Sequence, residues 1–306
     1  MLTQDISSNQ DSTFAATLVT YPSGSCREEA TVLDVMPDPR SGGAGRLLVI
    51  TDVTPFHPLD PLWPDQPADH GELRAADQSH AVPDVITIAQ RDDGQVMAGD
   101  AIDARRDEPG VCFRVAHVLS MTGVSEVRVR SRVTLMVDEV RRKRLSAAHT
   151  ACHLLAYALN QETHQLWRKP AQQDSRHHHD FDAVTCVQTR HDIGGSWDEY
   201  RLGKSLRKRG FDSAAFIAEL PAIIERVNQR LAAWIAADAA VRIECAGPRL
   251  TDHRRWFCEL PEATAHMPCG GTHVKRLSEI TAMTAIASYN GESGILAIRN
   301  DVRILD

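Results

Sequence analysis

The sequence predicts an α+β protein with two parts, a β-rich part over residues 1–140 and a mixed α+β part over residues 141–306. Three observations lead to this prediction. The first part contains short runs of β-type residues between clusters of turn residues. The second part alternates helical and strand-like patterns. The two parts also differ in charge, because residues 1–120 carry a net charge of −11 and residues 121–306 carry +4.

The composition is that of a globular protein. Of the 306 residues, 42% are hydrophobic and 25% are charged, which excludes collagen-like, coiled-coil and disordered chains. No apolar run reaches the roughly 18 residues of a membrane span, and the first thirteen residues lack the pattern of a signal peptide. We therefore expect a soluble, cytoplasmic protein. The seven cysteines are an odd number without a secretory signal, which favours metal binding or burial over disulfides.

In the first part, strands are predicted at residues 30–36, 46–51 and 83–88, separated by segments rich in Pro, Gly and Asp. These short strands are typical of a small β-barrel or a sandwich. Residues 55–67 contain five prolines, which remove the backbone donors that a central strand or a helix interior needs. This segment is therefore predicted to be a loop.

A basic strand is predicted at 127–133, and a helix at 146–160 follows in the second part. Asp212 and Ser213 are both suitable N-caps for a short helix that ends at Glu219, and Pro221 is a suitable start for a longer helix that ends near residue 238. Further strands are predicted at 184–188, 241–245 and 256–260, and a hairpin turn at 290–294.

Two short motifs in the second part carry metal-binding residue types. His149 and His153 are four residues apart on the predicted helix, so both imidazoles project from one face. Cys269 and His273 enclose two glycines about 115 residues later. Together they form a His₃Cys set, whose donors suit tetrahedral Zn²⁺ better than a hard cation. Taken separately, each motif is also consistent with polar residues on a half-buried helix or with a buried thiol beside an ordinary turn.

The sequences of these two motifs resemble those of a known family. Residues 149–155, HTACHLL, and 268–274, PCGGTHV, are similar to the paired zinc signatures of the alanyl-tRNA editing family. This family comprises the free-standing, AlaX-type relatives of the alanyl-tRNA synthetase editing domain, which threonyl-tRNA synthetase shares. The resemblance covers most of residues 138–306. In the first part it is limited to residues 56–58, 66–67 and 69–71. Residues 59–65 stand where the family has a glycine triplet, and the role of this loop is left open.

The resemblance implies a small N-terminal β-barrel followed by an α+β zinc-binding editing domain. It implies that His149, His153, Cys269 and His273 bind Zn²⁺ and that the protein hydrolyses the ester of serine or glycine on mischarged alanine tRNA. Four protein ligands are typical of structural zinc, whereas catalytic zinc keeps an open position, so the motifs are compatible with either role. Four further residues are expected to shape the pocket, bind the oxyanion or carry a proton: Gly270, Gly271, Thr272 and His266. A capping or packed core residue is the alternative for Thr272, and a surface-loop residue is the alternative for His266.

Clusters of basic residues are expected to bind the tRNA, because phosphate binding requires concentrated positive charge. There are three such clusters: first Arg128, Arg130 and Arg132, second Arg141, Arg142, Lys143 and Arg144, and third Arg201, Lys204, Arg207, Lys208 and Arg209. A solvated basic surface is the alternative for each cluster. Two other functions are compatible with the sequence: an inactive, zinc-stabilised module that binds RNA or protein, and a hydrolase of small aminoacyl esters or amides.

Overall fold

The chain has the predicted α+β architecture, described here from a computed structural model that covers residues 14–41, 45–61, 64–122, 124 and 126–305. Its contacts divide the chain into two units. The first unit takes the described chain up to residue 61, together with residues 68–138 and 247–252. The second takes residues 64–67, 139–246 and the chain from 253 onwards. Four residues of the proline-rich segment therefore belong to the second unit.

The first unit is built from strands. These are β1 (Leu18–Val19), β2 (Arg27–Pro37), β3 (Arg46–Thr51), β4 (Val53–Thr54), β5 (Gly71–Ala75), β6 (Gln78–Val82), β7 (Asp84–Arg91), β8 (Val96–Ala98), β9 (Val111–Ser120) and β10 (Arg132–Val137). Eight of them form one antiparallel sheet in the order β6-β5-β10-β2-β3-β9-β7-β8, and β1 pairs with β4 in parallel.

Among the described residues, no sheet closes into a barrel, so the expected small barrel is replaced by an open eight-stranded sheet. Barrel closure requires hydrogen bonds between the two edge strands. Here the short edge strands β6 and β8 each pair with a single neighbour, β5 and β7 respectively. Local sequence patterns predict strands, but they carry no information on whether the first and last strands of a sheet meet.

The three strand predictions in this unit are confirmed, since they fall within or overlap β2, β3 and β7. The predicted strand at 127–133 is wrong over most of its length, because β10 begins only at Arg132. Arg130 has a φ of 71°, a left-handed backbone that interrupts an extended strand. The hydroxyl of Ser131 also donates to the Arg128 carbonyl at 2.7 Å, which stabilises a turn.

His117 is a fully buried histidine in the core of the first unit. Its Nδ1–H donates to the Val49 carbonyl at 2.9 Å, and its Nε2 accepts from the Thr54 hydroxyl at 2.8 Å. The ring also makes an edge contact with Phe56. Burial lowers the pKa of His117 to about 4, so the imidazole is neutral in the folded protein near pH 7.

The neutral state of His117 predicts a pH-dependent stability. A histidine in the unfolded chain titrates near pH 6.5, so the unfolded state binds more protons between pH 6.5 and 4. We expect the free energy of unfolding to fall over this window, by up to about 3 kcal/mol from this residue. Denaturant unfolding of the parent and His117→Gln at pH 7 and pH 4.5 tests this. Equal losses in both proteins would contradict it.

The second unit combines helices and two antiparallel sheets. The helices are α1 (Glu139–Thr163), α2 (Phe181–Thr185), α3 (Lys204–Lys208), α4 (Ser213–Ala218) and α5 (Leu220–Ala236). The strands are β11 (Cys186–Asp192), β12 (Gly195–Arg201), β13 (Val241–Cys245), β14 (Arg254–Cys258), β15 (Ala265–Pro268), β16 (Ile280–Asn290) and β17 (Ile295–Ile304). The sheet orders are β11-β12-β17-β16 and β13-β14-β15.

Helix α1 is the central element of this unit, packing against β11, β12, β17 and α5. It contains the helix predicted at 146–160, and its apolar face lies in the main core beside Trp256. The start of α4 is confirmed, because the Asp212 side chain accepts from the Ala215 N–H at 3.1 Å. The hairpin at 290–294 is also confirmed and joins β16 to β17. Across the described ranges, no helix combines the length and apolarity that crossing a bilayer requires.

Candidate metal centre

Four side chains from two segments meet in the second unit. His149 and His153 project from α1, and Cys269 and His273 lie in the loop after β15. One ligand atom from each of the four lies within 4.8 Å of the others. The sulfur of Cys269 is 3.4 Å from His149 Nε2 and 3.2 Å from His273 Nε2. The arrangement can hold a metal ion.

Helix α1 also orients the imidazole of His273. The hydroxyl of Thr150 donates to the Ser146 carbonyl at 2.9 Å, so its oxygen accepts from His273 Nδ1–H at 3.1 Å. It accepts from the Val274 N–H at 3.2 Å as well. With the proton held on Nδ1, the lone pair of His273 is on Nε2, the atom that faces Cys269.

Gln66 orients the imidazole of His149 in the same way. Its side-chain oxygen accepts from His149 Nδ1–H at 2.7 Å and from the Thr272 N–H at 3.0 Å. Its amide nitrogen donates to the Thr272 hydroxyl at 2.9 Å. Gln66 is 1% exposed and lies in the proline-rich segment, 83 residues before His149. Gln66 falls within the family resemblance, but no sequence pattern indicates its contact with His149.

Gly271 is required by the close approach of these side chains. A Cβ at this position would overlap the His149 imidazole and lie 2.5 Å from the Gln66 side-chain oxygen. The backbone N–H of Gly271 lowers the pKa of the Cys269 thiol, against the larger effect of burial. Gly270 differs, because a Cβ there would meet nothing within 4 Å. The hydroxyl of Thr272, at 3% exposure, accepts from Gln66 and from Ser146.

The protonation states fit a bound cation. Burial lowers the pKa of His153 to about 3, so its imidazole is neutral and can donate a lone pair. Burial raises the pKa of Cys269 to about 12, so the thiol stays protonated unless a cation lies beside it. In the described part of the chain, His153 Nδ1 is buried without a hydrogen-bond partner. A metal ion beside Cys269 would stabilise the thiolate. The imidazole nitrogens and the sulfur of this cluster are ligands that transition metals bind.

Two residues that the sequence analysis did not select also lie at this cluster. Asp65 Oδ2 is 3.6 Å from His149 Nε2, and the ring of His191 on β11 is centred 4.5 Å from that of His149. Neither belongs to a motif with recognisable spacing.

The structure does not bring His266 into this cluster. It lies on β15, where its Nδ1 accepts from Arg255 at 3.0 Å and its ring packs against Phe257. Two runs of basic residues lie on helices: Arg142 in α1 is buried at 6% exposure, whereas Lys143 is exposed. The other basic run, at the end of α3, is exposed throughout: Arg207, Lys208 and Arg209.

The two glycines provide a matched test of this geometry. We expect Gly271→Ala to displace His149 or Gln66 and to weaken metal affinity by about tenfold or more, because the hydrogen bond that orients His149 is disrupted. Gly270→Ala should bind metal like the parent. Competition between Co²⁺ and a chelator measures the affinity, and thermal unfolding checks the fold. Equal affinities for the two folded variants would contradict the assigned role of Gly271.

Comparison with known proteins supplies a relative for part of the chain. No family model matches the sequence. A stretch of 133 residues is 35% identical to alanine--tRNA ligase from two strains of Halobacterium salinarum. The match covers 44% of this chain and 11% of the ligase, so the chain spans about a tenth of the length of these relatives. Over this stretch the chain is a homologue of alanine--tRNA ligase.

Proposed function

We propose that this protein is a zinc-dependent trans-editing hydrolase that removes serine or glycine from mischarged alanine tRNA. The observation that carries the proposal is the convergence of His149, His153, Cys269 and His273, with two imidazoles oriented by Gln66 and Thr150. The similarity to alanine--tRNA ligase supports alanine tRNA as the partner. The bond cleaved is the ester between the amino acid and the 3′ end of the tRNA.

Zinc is the proposed ion because three imidazoles and one thiolate suit it better than calcium or magnesium. His149, His153, Cys269 and His273 would hold it. When bound, zinc supplies Lewis acidity to a hydrolytic site.

The chain's own groups would position the substrate around this centre. We assign the backbone N–H of Gly270 to the developing oxyanion, because the space beside Gly270 is open. Thr272 would shape the pocket wall through its bonds to Gln66. The proposal gives no role to His266, whose contacts are with Arg255 and Phe257.

Substitution of one ligand tests the reaction. We expect His153→Ala to lose bound zinc and to reduce hydrolysis of seryl- and glycyl-tRNA by more than the roughly 10–100-fold that loss of an outer hydrogen-bond partner causes. Alanine is the best helix former, so α1 should stay intact. His253→Ala, at an exposed position, is the control. Deacylation rates and elemental analysis give the two readouts.

Three outcomes of this experiment oppose the proposal. Activity within a few-fold of the parent in zinc-free His153→Ala would exclude a role of the metal in hydrolysis. Hydrolysis of small aminoacyl esters, with none of charged tRNA, would identify a small-ester hydrolase. A parent protein that binds zinc and tRNA but hydrolyses neither substrate would identify a binding module.

The exposed basic run at the end of α3 is the proposed phosphate-binding surface. We expect joint substitution of Arg207, Lys208 and Arg209 by Gln to flatten the slope of log affinity for tRNA against log salt, by up to roughly 0.7–0.9 for each phosphate that these side chains neutralise in the parent. The control changes three exposed arginines of the first unit to Gln: Arg128, Arg130 and Arg132. A change of slope in the control alone would move the tRNA-binding surface to the first unit.

A further inference from the structure

A second group of metal-binding side chains shares His149 with the first. Asp65, His149 and His191 each place one ligand atom within 4.8 Å of the other two. The carboxylate Oδ2 of Asp65 is 3.6 Å from His149 Nε2, the same nitrogen that lies 3.4 Å from Cys269 Sγ. Separations of this size between ligand atoms are those expected when ligands share one ion at about 2.0–2.3 Å from the metal.

Backbone contacts fix the positions of Asp65 and His191. The His191 N–H donates to the Asp65 carbonyl at 2.8 Å, which ties residues 64–67 to β11. The neighbouring Gln66 is bonded to both His149 and Thr272. The side chain of His191 is buried, and that of Asp65 is 17% exposed. The second group is therefore built by contacts inside the second unit and does not depend on freely exposed side chains.

The two groups cannot each bind an ion at the same time. The Nδ1–H of His149 is bonded to Gln66, so Nε2 carries the single lone pair available to a metal. One lone pair serves one ion. The groups are therefore alternative positions for the same ion, one with four protein ligands and the other with three.

We propose that Asp65, His149 and His191 form a second, open position for the metal ion. Two imidazoles and one carboxylate are a ligand set found at hydrolytic zinc sites, which keep a fourth position for water or substrate. The set of His149, His153, Cys269 and His273 is a closed position, because its four protein ligands fill the tetrahedron around an ion. Ion binding at Asp65 and His191 would thus provide the coordination site that the closed set lacks. The inference concerns metal binding alone and does not require that tRNA is the substrate.

The experiment removes the closed position and asks whether an ion still binds. In a full-length Cys269→Ala/His273→Ala variant, two ligands of the closed set are gone, while Asp65, His149 and His191 remain. We expect one Co²⁺ per chain, with weaker affinity than the parent and without the thiolate-to-cobalt absorption band of the parent. Adding Asp65→Asn or His191→Gln should weaken this binding at least about tenfold further. Circular dichroism and thermal unfolding verify that each variant is folded.

Asp192→Asn is the matched control for Asp65→Asn. Asp192 is the neighbour of His191 on β11, is exposed and pairs with Arg299. Its substitution removes one carboxylate but leaves Asp65, His149 and His191 unchanged. This change should leave Co²⁺ affinity within about twofold of the background.

Three results would overturn the proposal: Co²⁺ binding that is unaffected by both Asp65→Asn and His191→Gln, two ions per chain in the parent, or a folded background that binds no Co²⁺. If this double variant does not fold, Cys269→Ala/His153→Ala gives the same comparison, with the helix ligand His153 removed in place of His273. Deacylation assays are not needed for any of these outcomes, so failure here is distinct from failure of the proposed tRNA hydrolysis.

Discussion

The hydrogen bond between His149 Nδ1 and the side-chain oxygen of Gln66 is the interaction on which the metal centre depends. It places the proton of His149 on the nitrogen away from Cys269, and so leaves Nε2 to face the cluster. The same amide holds Thr272 through two further bonds. One buried side chain thereby connects residues 64–67, helix α1 and the loop after β15. Each buried polar group left unsatisfied by its removal would cost about 1–3 kcal/mol.

Helix α1 provides both metal-binding side chains and the hydrogen-bonding groups that hold the neighbouring loop. His149 and His153 lie one turn apart as ligands. Ser146 and Thr150, also one turn apart, provide the acceptors and hydroxyls that hold the loop of Thr272 and His273. Residues 146–153 of the helix therefore carry buried polar groups, and their hydrogen bonds replace the water that these groups lose. The C-terminal part, from Leu154 onwards, contributes to the apolar core.

The sequence predicts the groups whose relation is local. His149 and His153 share a helix face by their spacing, and Cys269 and His273 enclose two glycines, so each pair is recognisable within five residues. Asp65, Gln66 and His191 come from other segments with no periodic pattern, and only tertiary packing brings them to His149. The same distinction explains the fold: the bounds of β3 follow from its own residues, whereas closure of the first sheet depends on distant edges. Burial of Arg142 within a basic run likewise follows from packing, since sequence alone does not distinguish it from the exposed Lys143.

The charges of the cluster explain why Asp65 matters to a buried metal ion. Imidazoles that bind a metal add no charge, whereas the Cys269 thiolate and the Asp65 carboxylate each add one negative charge. Together they balance a divalent cation, and burial of a balanced group costs much less than burial of a net charge. Without a cation, burial and the proximity of Asp65 both raise the pKa of the Cys269 thiol. Asp65 belongs to residues 59–65, where the resembled family has a glycine triplet, so this carboxylate is a feature of the centre that the resembled pattern does not contain.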